Sequence, residues 1–178
     1  IQIYFPTGSI FKIPFIDDKI PFISIFVIPY LLYIAVLFLP FVLTFKNKKY
    51  FYAVSAAFLF ASVVCSIIYV IFPTMVMMPE ILPITIFNKL VLFVYAIDGI
   101  VNCFPSGHVT FSVLSNLCLT KINRKLAYYL LPLTVLIVFS TLFIKHNYIP
   151  DIFAGLALAF LGFLIFRKIL AFHKTRKN

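Results

Sequence analysis

The chain has 178 residues, 63% of them hydrophobic and 11% charged, with a mean hydropathy of +1.12. A soluble globular domain is about 45–50% apolar and about 25% charged, so this composition excludes a water-soluble enzyme and makes lipid the main solvent. The formal net charge of +10 is read as an orientation and anionic-lipid signal, with no nucleic-acid partner needed to explain it.

The chain opens on Ile1 rather than Met, which leaves room for an upstream helix or targeting signal. Residues 1–19 are expected as an N-terminal segment on the outer side, followed by apolar runs at 20–45 and 50–72, each as long as the ~20 residues that cross a bilayer. Pro73, Pro79 and Pro83 then interrupt the chain, and the short apolar stretch 87–95 predicts an interfacial or re-entrant helix within an outer loop over 73–105. A loop this long and this apolar usually covers something.

Residues 106–120 form a shorter span carrying Ser106, Thr110, Ser112, Ser115 and Asn116, a polarity that belongs inside a bundle where neighbouring helices satisfy it. Runs at 126–144 and 149–166 complete the set, and 167–178 is a basic cytoplasmic tail that includes His173. The expected fold is all-α: one polytopic transmembrane helical bundle of about five spans occupying 1–178.

On this topology eleven of the fifteen Lys and Arg residues fall on one side. They are Lys46, Lys48, Lys49, Lys121, Arg124, Lys125, Arg167, Lys168, Lys174, Arg176 and Lys177. The other side holds Lys12, Lys19, Lys89 and Lys145 with all five acids, Asp17, Asp18, Glu80, Asp98 and Asp151. Basic residues near span ends mark the cytoplasmic face, so the N-terminal segment and the loops after the second and fourth spans face outward. Cys65, Cys103 and Cys118 show no paired spacing, and with the scattered His residues they suggest neither a disulfide nor a metal site.

The unusual polar residues converge on that outer face. Pro105 opens a helix whose first turn holds Ser106, Gly107 and His108. Free amides and the positive end of the helix dipole favour an anion such as phosphate there. Gly107 lets a ligand approach the backbone, and the His108 imidazole is suited to exchanging a proton near neutral pH. The segment from Lys145 to Asp151, between the fourth and fifth spans, brings Lys145, His146, Asn147 and Asp151 to the same face. Asp98 pairs with Lys89 or faces water and is given no catalytic role. The midplane is left nearly free of charge, which does not suit a transporter.

Three segments, spread over 72–155, resemble the signatures of the type 2 phosphatidic acid phosphatase superfamily. The most specific runs Asn102-Cys103-Phe104-Pro105-Ser106-Gly107-His108. Phe72-Pro73-Thr74 ahead of Pro79 is similar to the first signature, and Ser140 to Lys145 ahead of Tyr148 and Asp151-Ile152-Phe153-Ala154-Gly155 to the third. The resemblance implies a cofactor-free, metal-independent site for lipid phosphates. A third-signature His attacks phosphorus to give a phosphohistidine, an Asp four residues later orients it, and His108 protonates the leaving alcohol. Ser106, Gly107 and Lys145 would bind the phosphate, and Asp151 would be the orienting acid.

The sequence departs from that pattern where the chemistry lies. Four residues before Asp151 stands Asn147, which cannot form a phosphohistidine, and His146 is one place earlier. One helical residue turns a side chain by about 100°, so His146 serves only if the junction ahead of Pro150 is non-helical, as Pro150 favours. Met78, Ile71 and Thr141 stand where basic residues are expected. The reading is a membrane phosphatase or phosphotransferase acting on lipid phosphates, with His146 or Asn147 in the nucleophile's place. The alternative is a catalytically impaired relative that binds a lipid headgroup or a membrane partner.

Overall fold

The structure is a computed structural model that describes residues 8–175, with side chains described to Phe172. Residues 1–7 of the expected outer segment, and Arg176 and Lys177 of the tail, lie outside the described residues. After 3-10 turns at Asp17–Lys19 and Ser24–Phe26 come six helices: α1 (Val27–Thr44), α2 (Lys48–Ile71), α3 (Ile86–Asp98), α4 (Gly107–Ile122), α5 (Arg124–Phe143) and α6 (Ile149–Thr175). The fold is the expected all-helical one. Four segments are long and apolar enough to cross a membrane: Ser24–Thr44, Lys48–Ile71, Arg124–Phe143 and Ile149–Phe172.

Local chemistry places the helix starts. Asn47, Thr85, Ser106 and Asn123 each accept a hydrogen bond from the backbone N–H three residues on, satisfying a donor that the first turn leaves free. The first apolar run becomes helical later than its hydropathy suggests, because Ile20 ahead of Pro21 is extended and the Ile23 N–H bonds to the Phe143 carbonyl at 2.9 Å. The last helix continues to Thr175, well past the expected 166.

α4 is the axis of the bundle and packs against α1, α2, α5 and α6. As its polarity predicts, Thr110, Ser112, Ser115 and Asn116 are buried. Ser115 donates to the Val36 carbonyl at 2.5 Å and Asn116 to the Thr134 hydroxyl at 2.8 Å. Small residues let the helices close up: Ala53, Ala57 and Ala61 of α2 are fully buried in one cluster with Leu114, Cys118 and Ala159, a spacing of four that suits close packing in lipid. A Cβ added at Gly155 would lie 2.9 Å from the Ser106 carbonyl oxygen, so only glycine permits the α4–α6 approach there. Cys65, Cys103 and Cys118 are buried and free.

The loop after α2 is anchored by isolated bridges from Ser9 to Thr74 and from Met75 to Val101. Its helix is longer than the expected 87–95 and packs Val91 and Val94 against Val27 and Tyr30 of α1. That packing carries the C-terminal turn of α3 over the first turn of α4.

Candidate active site

The Tyr69 hydroxyl donates to the Pro105 carbonyl at 2.9 Å, and the Ser106 N–H donates to the Asp151 carbonyl at 3.1 Å, which ties the head of α4 to α2 and α6. One turn in, the His108 ring stacks on Tyr30 with centroids 4.2 Å apart and packs against Tyr33 at 4.4 Å. Opposite it, the chain between α5 and α6 leaves the helical path. The Thr141 carbonyl accepts from the N–H groups of both His146 and Asn147, at 2.9 and 3.0 Å, and Lys145 has φ 56°, in the left-handed region few non-glycine residues adopt. The non-helical junction that the Pro150 argument required is therefore present.

This turn sends His146 and Asn147 to different surroundings. His146 lines a cavity of about 220 Å³ shared with His108, Gly107, Asp98, Tyr33 and Tyr69. The two imidazole centroids are 5.9 Å apart. His146 is only 6% exposed, yet neither of its ring nitrogens has a hydrogen-bond partner. Burial pushes its pKa below the ordinary imidazole value, opposed by the charge of Asp98.

The Asn147 side chain reaches the same cavity's wall but is bound on every side. Its Oδ1 accepts the Ser106 hydroxyl at 2.9 Å, and its Nδ2 donates to the Cys103 carbonyl at 3.0 Å and to Asp151 Oδ2 at 3.4 Å. Asp151 Oδ2 also accepts the Tyr148 N–H at 2.7 Å, the reach of a third-position acid back to the helix cap. Asp151 thus caps α6 and orients residue 147 together. The Cys103 thiol is pushed up to about 12, first by burial and then by the Asp151 charge.

Lys145 does not join this group. Its Nζ donates to the Asp17 carbonyl at 3.1 Å and lines a separate cavity of about 370 Å³ with Lys12, Asp18, Met78 and Tyr148. Burial lowers its pKa, opposed by Asp17 and Asp18. Of the three expected phosphate contacts, Gly107 lines the imidazole cavity, Ser106 spends its hydroxyl on Asn147, and Lys145 faces elsewhere. No Lys or Arg lines the imidazole cavity.

The residue that sequence reasoning misplaced is Asp98. It neither pairs with Lys89 nor only faces water: its Oδ2 accepts the Tyr30 hydroxyl at 2.6 Å and stands 4.0 Å from His108 Nε2 and 3.8 Å from His146 Nε2. These last two separations are ionic contacts, longer than hydrogen bonds. The signal was in the spacing, since Val91, Val94 and Asp98 fall on one face of a helix once that helix runs beyond Tyr95. Among the described residues, no group of three or more His, Cys, Asp or Glu side chains is arranged to hold a metal ion.

Chemically, the cavity offers two imidazoles that can exchange protons, a carboxylate between them, and the first turn of α4. The family model described as the PAP2 superfamily matches residues 83–174, from the loop before α3 through nearly all of α6. Comparison with curated proteins and with solved structures finds no match.

Proposed function

The chain belongs to the PAP2 superfamily, a phosphatase-type family, and from that premise we propose that it is a membrane-embedded phosphatase or phosphotransferase for lipid phosphates. His146 is the nucleophile and His108 the general acid. The observation that carries this reading is the pair of imidazoles facing one cavity 5.9 Å apart, while Asn147 is held away by three hydrogen bonds. A His146 ring nitrogen bonds to phosphorus, the ester P–O bond breaks, and His108 gives its proton to the leaving oxygen. Water then cleaves the N–P bond and returns a proton to His108, so the acid of the first step is the base of the second.

The amides of the first turn of α4 supply the anion site, since a helix start presents free N–H groups and a positive dipole end. A lipid substrate is supported by an apolar cavity of about 210 Å³ between α1 and α3, lined by Leu31, Ile34, Phe93 and Ile97, which shares Tyr33, Asp98 and His108 with the imidazole cavity. α4 is the fifth crossing, sheltered by the four longer spans. The site faces the extracytoplasmic side, as the eleven-to-four division of basic residues supports.

One observation favours the second reading, an impaired relative that holds a lipid headgroup: the family's nucleophile position is Asn147, and no Lys or Arg lines the cavity. Phosphate release from a panel of lipid phosphates by the purified chain separates the two. Turnover that falls by about 10³-fold or more in His146→Ala and is also lost in His108→Ala supports the enzyme. Turnover surviving in His146→Ala removes the nucleophile assignment, and no release from any lipid by the unaltered chain leaves the binding role.

A further inference from the structure

We infer that Asp98 is the positioning residue for the His146 imidazole, held in place by Tyr30, so that the orienting acid of this site comes from α3 and not from α6. This rests on the phosphohistidine reading above. Asp151 is unavailable for the task, because its Oδ2 is occupied by the Tyr148 N–H at 2.7 Å and by Asn147 at 3.4 Å. Asp98 is the carboxylate within 4.0 Å of His146 among the described residues, with Oδ2 3.8 Å from Nε2. Hydrogen bonds used in catalysis are often long before substrate binds and tighten in the complex.

The carboxylate is fixed from two directions. Tyr30 of α1 donates its hydroxyl to Oδ2 at 2.6 Å, and burial of Val91 and Val94 sets the rotation of α3. Gly99, at φ 73°, ends the helix immediately afterward. A carboxylate in the last turn of a helix opposes the helix dipole, so α3 is locally less stable for having Asp98 there. Such a breach of local preference is expected where a residue serves a site.

The titratable groups packed around His146 are Asp98 and Tyr95 from α3, Tyr30 from α1 and His108 from α4. With no Lys or Arg lining the cavity, the Asp98 carboxylate is the group that can favour a positively charged ring at position 146. That matters during attack: as one ring nitrogen bonds to phosphorus, the imidazole gains positive charge and its remaining N–H donates to Asp98. No proton leaves the ring in this step. The carboxylate stabilises the charge and fixes which nitrogen is free to attack.

The test uses the full chain in detergent with labelled histidine, read by NMR, beside lipid phosphate turnover. In Asp98→Asn the titration midpoint of His146 falls by about 1–3 pH units, the effect of removing an opposite charge within this distance. The value of kcat falls by about 10²–10⁴-fold with KM little changed, as for the loss of an orienting acid in a triad. Asp98→Glu restores part of both. An unmoved His146 midpoint, or activity that only follows the melting temperature across the variants, overturns the inference. If the midpoint shifts but the unaltered chain releases phosphate from no lipid, the Asp98–His146 pairing stands and the phosphohistidine reading falls.

Discussion

Asn147 accepts the hydroxyl of Ser106, 41 residues earlier in the chain, at 2.9 Å, and this bond makes the residue four before Asp151 a clasp between the head of α4 and the head of α6. An amide suits that position because it accepts from Ser106 while donating to the Cys103 carbonyl and Asp151.

Asn147→Ala strips three buried partners of their bonds and is expected to lower stability by about 1–3 kcal/mol, read as a drop in melting temperature in detergent. Asn147→His places a larger ring in the same slot and is expected to lower stability without raising turnover. A gain of several orders of magnitude in phosphate release would instead transfer the nucleophile's role from His146 to position 147.

The pH dependence follows from burial. The His146 pKa is lowered from the ordinary value of 6.5, so its neutral, nucleophilic form persists as pH falls through 6.5. The acid limb of kcat/KM is therefore expected below pH 6.5. A limb above that value would show that a different base, or a far more solvated His146, limits the reaction.

Gly155→Ala puts a methyl group 2.9 Å from the Ser106 carbonyl and 3.1 Å from Val109 Cβ. Overpacking of this kind costs about 1–3 kcal/mol. Because the Ser106 N–H also bonds the Asp151 carbonyl, activity should fall with stability. Gly99→Ala meets nothing within 4 Å and strains only the backbone, so it provides the control for a glycine lost without crowding.

The topology is open to direct labelling, since the native cysteines are all buried. A single Cys placed at 47 or 123 should resist an impermeant thiol reagent on intact cells, and one at 85 should react. Reaction at 47 would reverse the proposed orientation and put the imidazole cavity on the cytoplasmic side.

Hydropathy and capping are local properties, and they made most of the helices legible. A backbone in lipid must satisfy its own hydrogen bonds, so the runs at 50–72, 126–144 and 149–166 have no stable form other than helices close to those found. Asn47, Ser106 and Asn123 announced their helix starts because each carries a side-chain acceptor for an orphan N–H. The polar residues of α4 announced its interior place for the same reason, and His108 in its first turn was legible as a site residue.

The remainder depended on which surfaces meet. Nothing near Ile20 reveals that the first run starts helical only after Ile23 bonds to Phe143, a partner 120 residues away. Lys145 stood beside His146 in sequence, but a left-handed backbone at Lys145 sends its side chain toward Asp17 while His146 turns toward His108. Asp98 read as a solvent-facing acid because its three partners, Tyr30, His108 and His146, come from α1, from α4 and from the turn between α5 and α6. The sequence by itself determined a membrane-embedded helical bundle with an imidazole at the head of α4. The packing of α3 against α1 decided which carboxylate shares the cavity, because a charge gains its partners only when separate helices close around it.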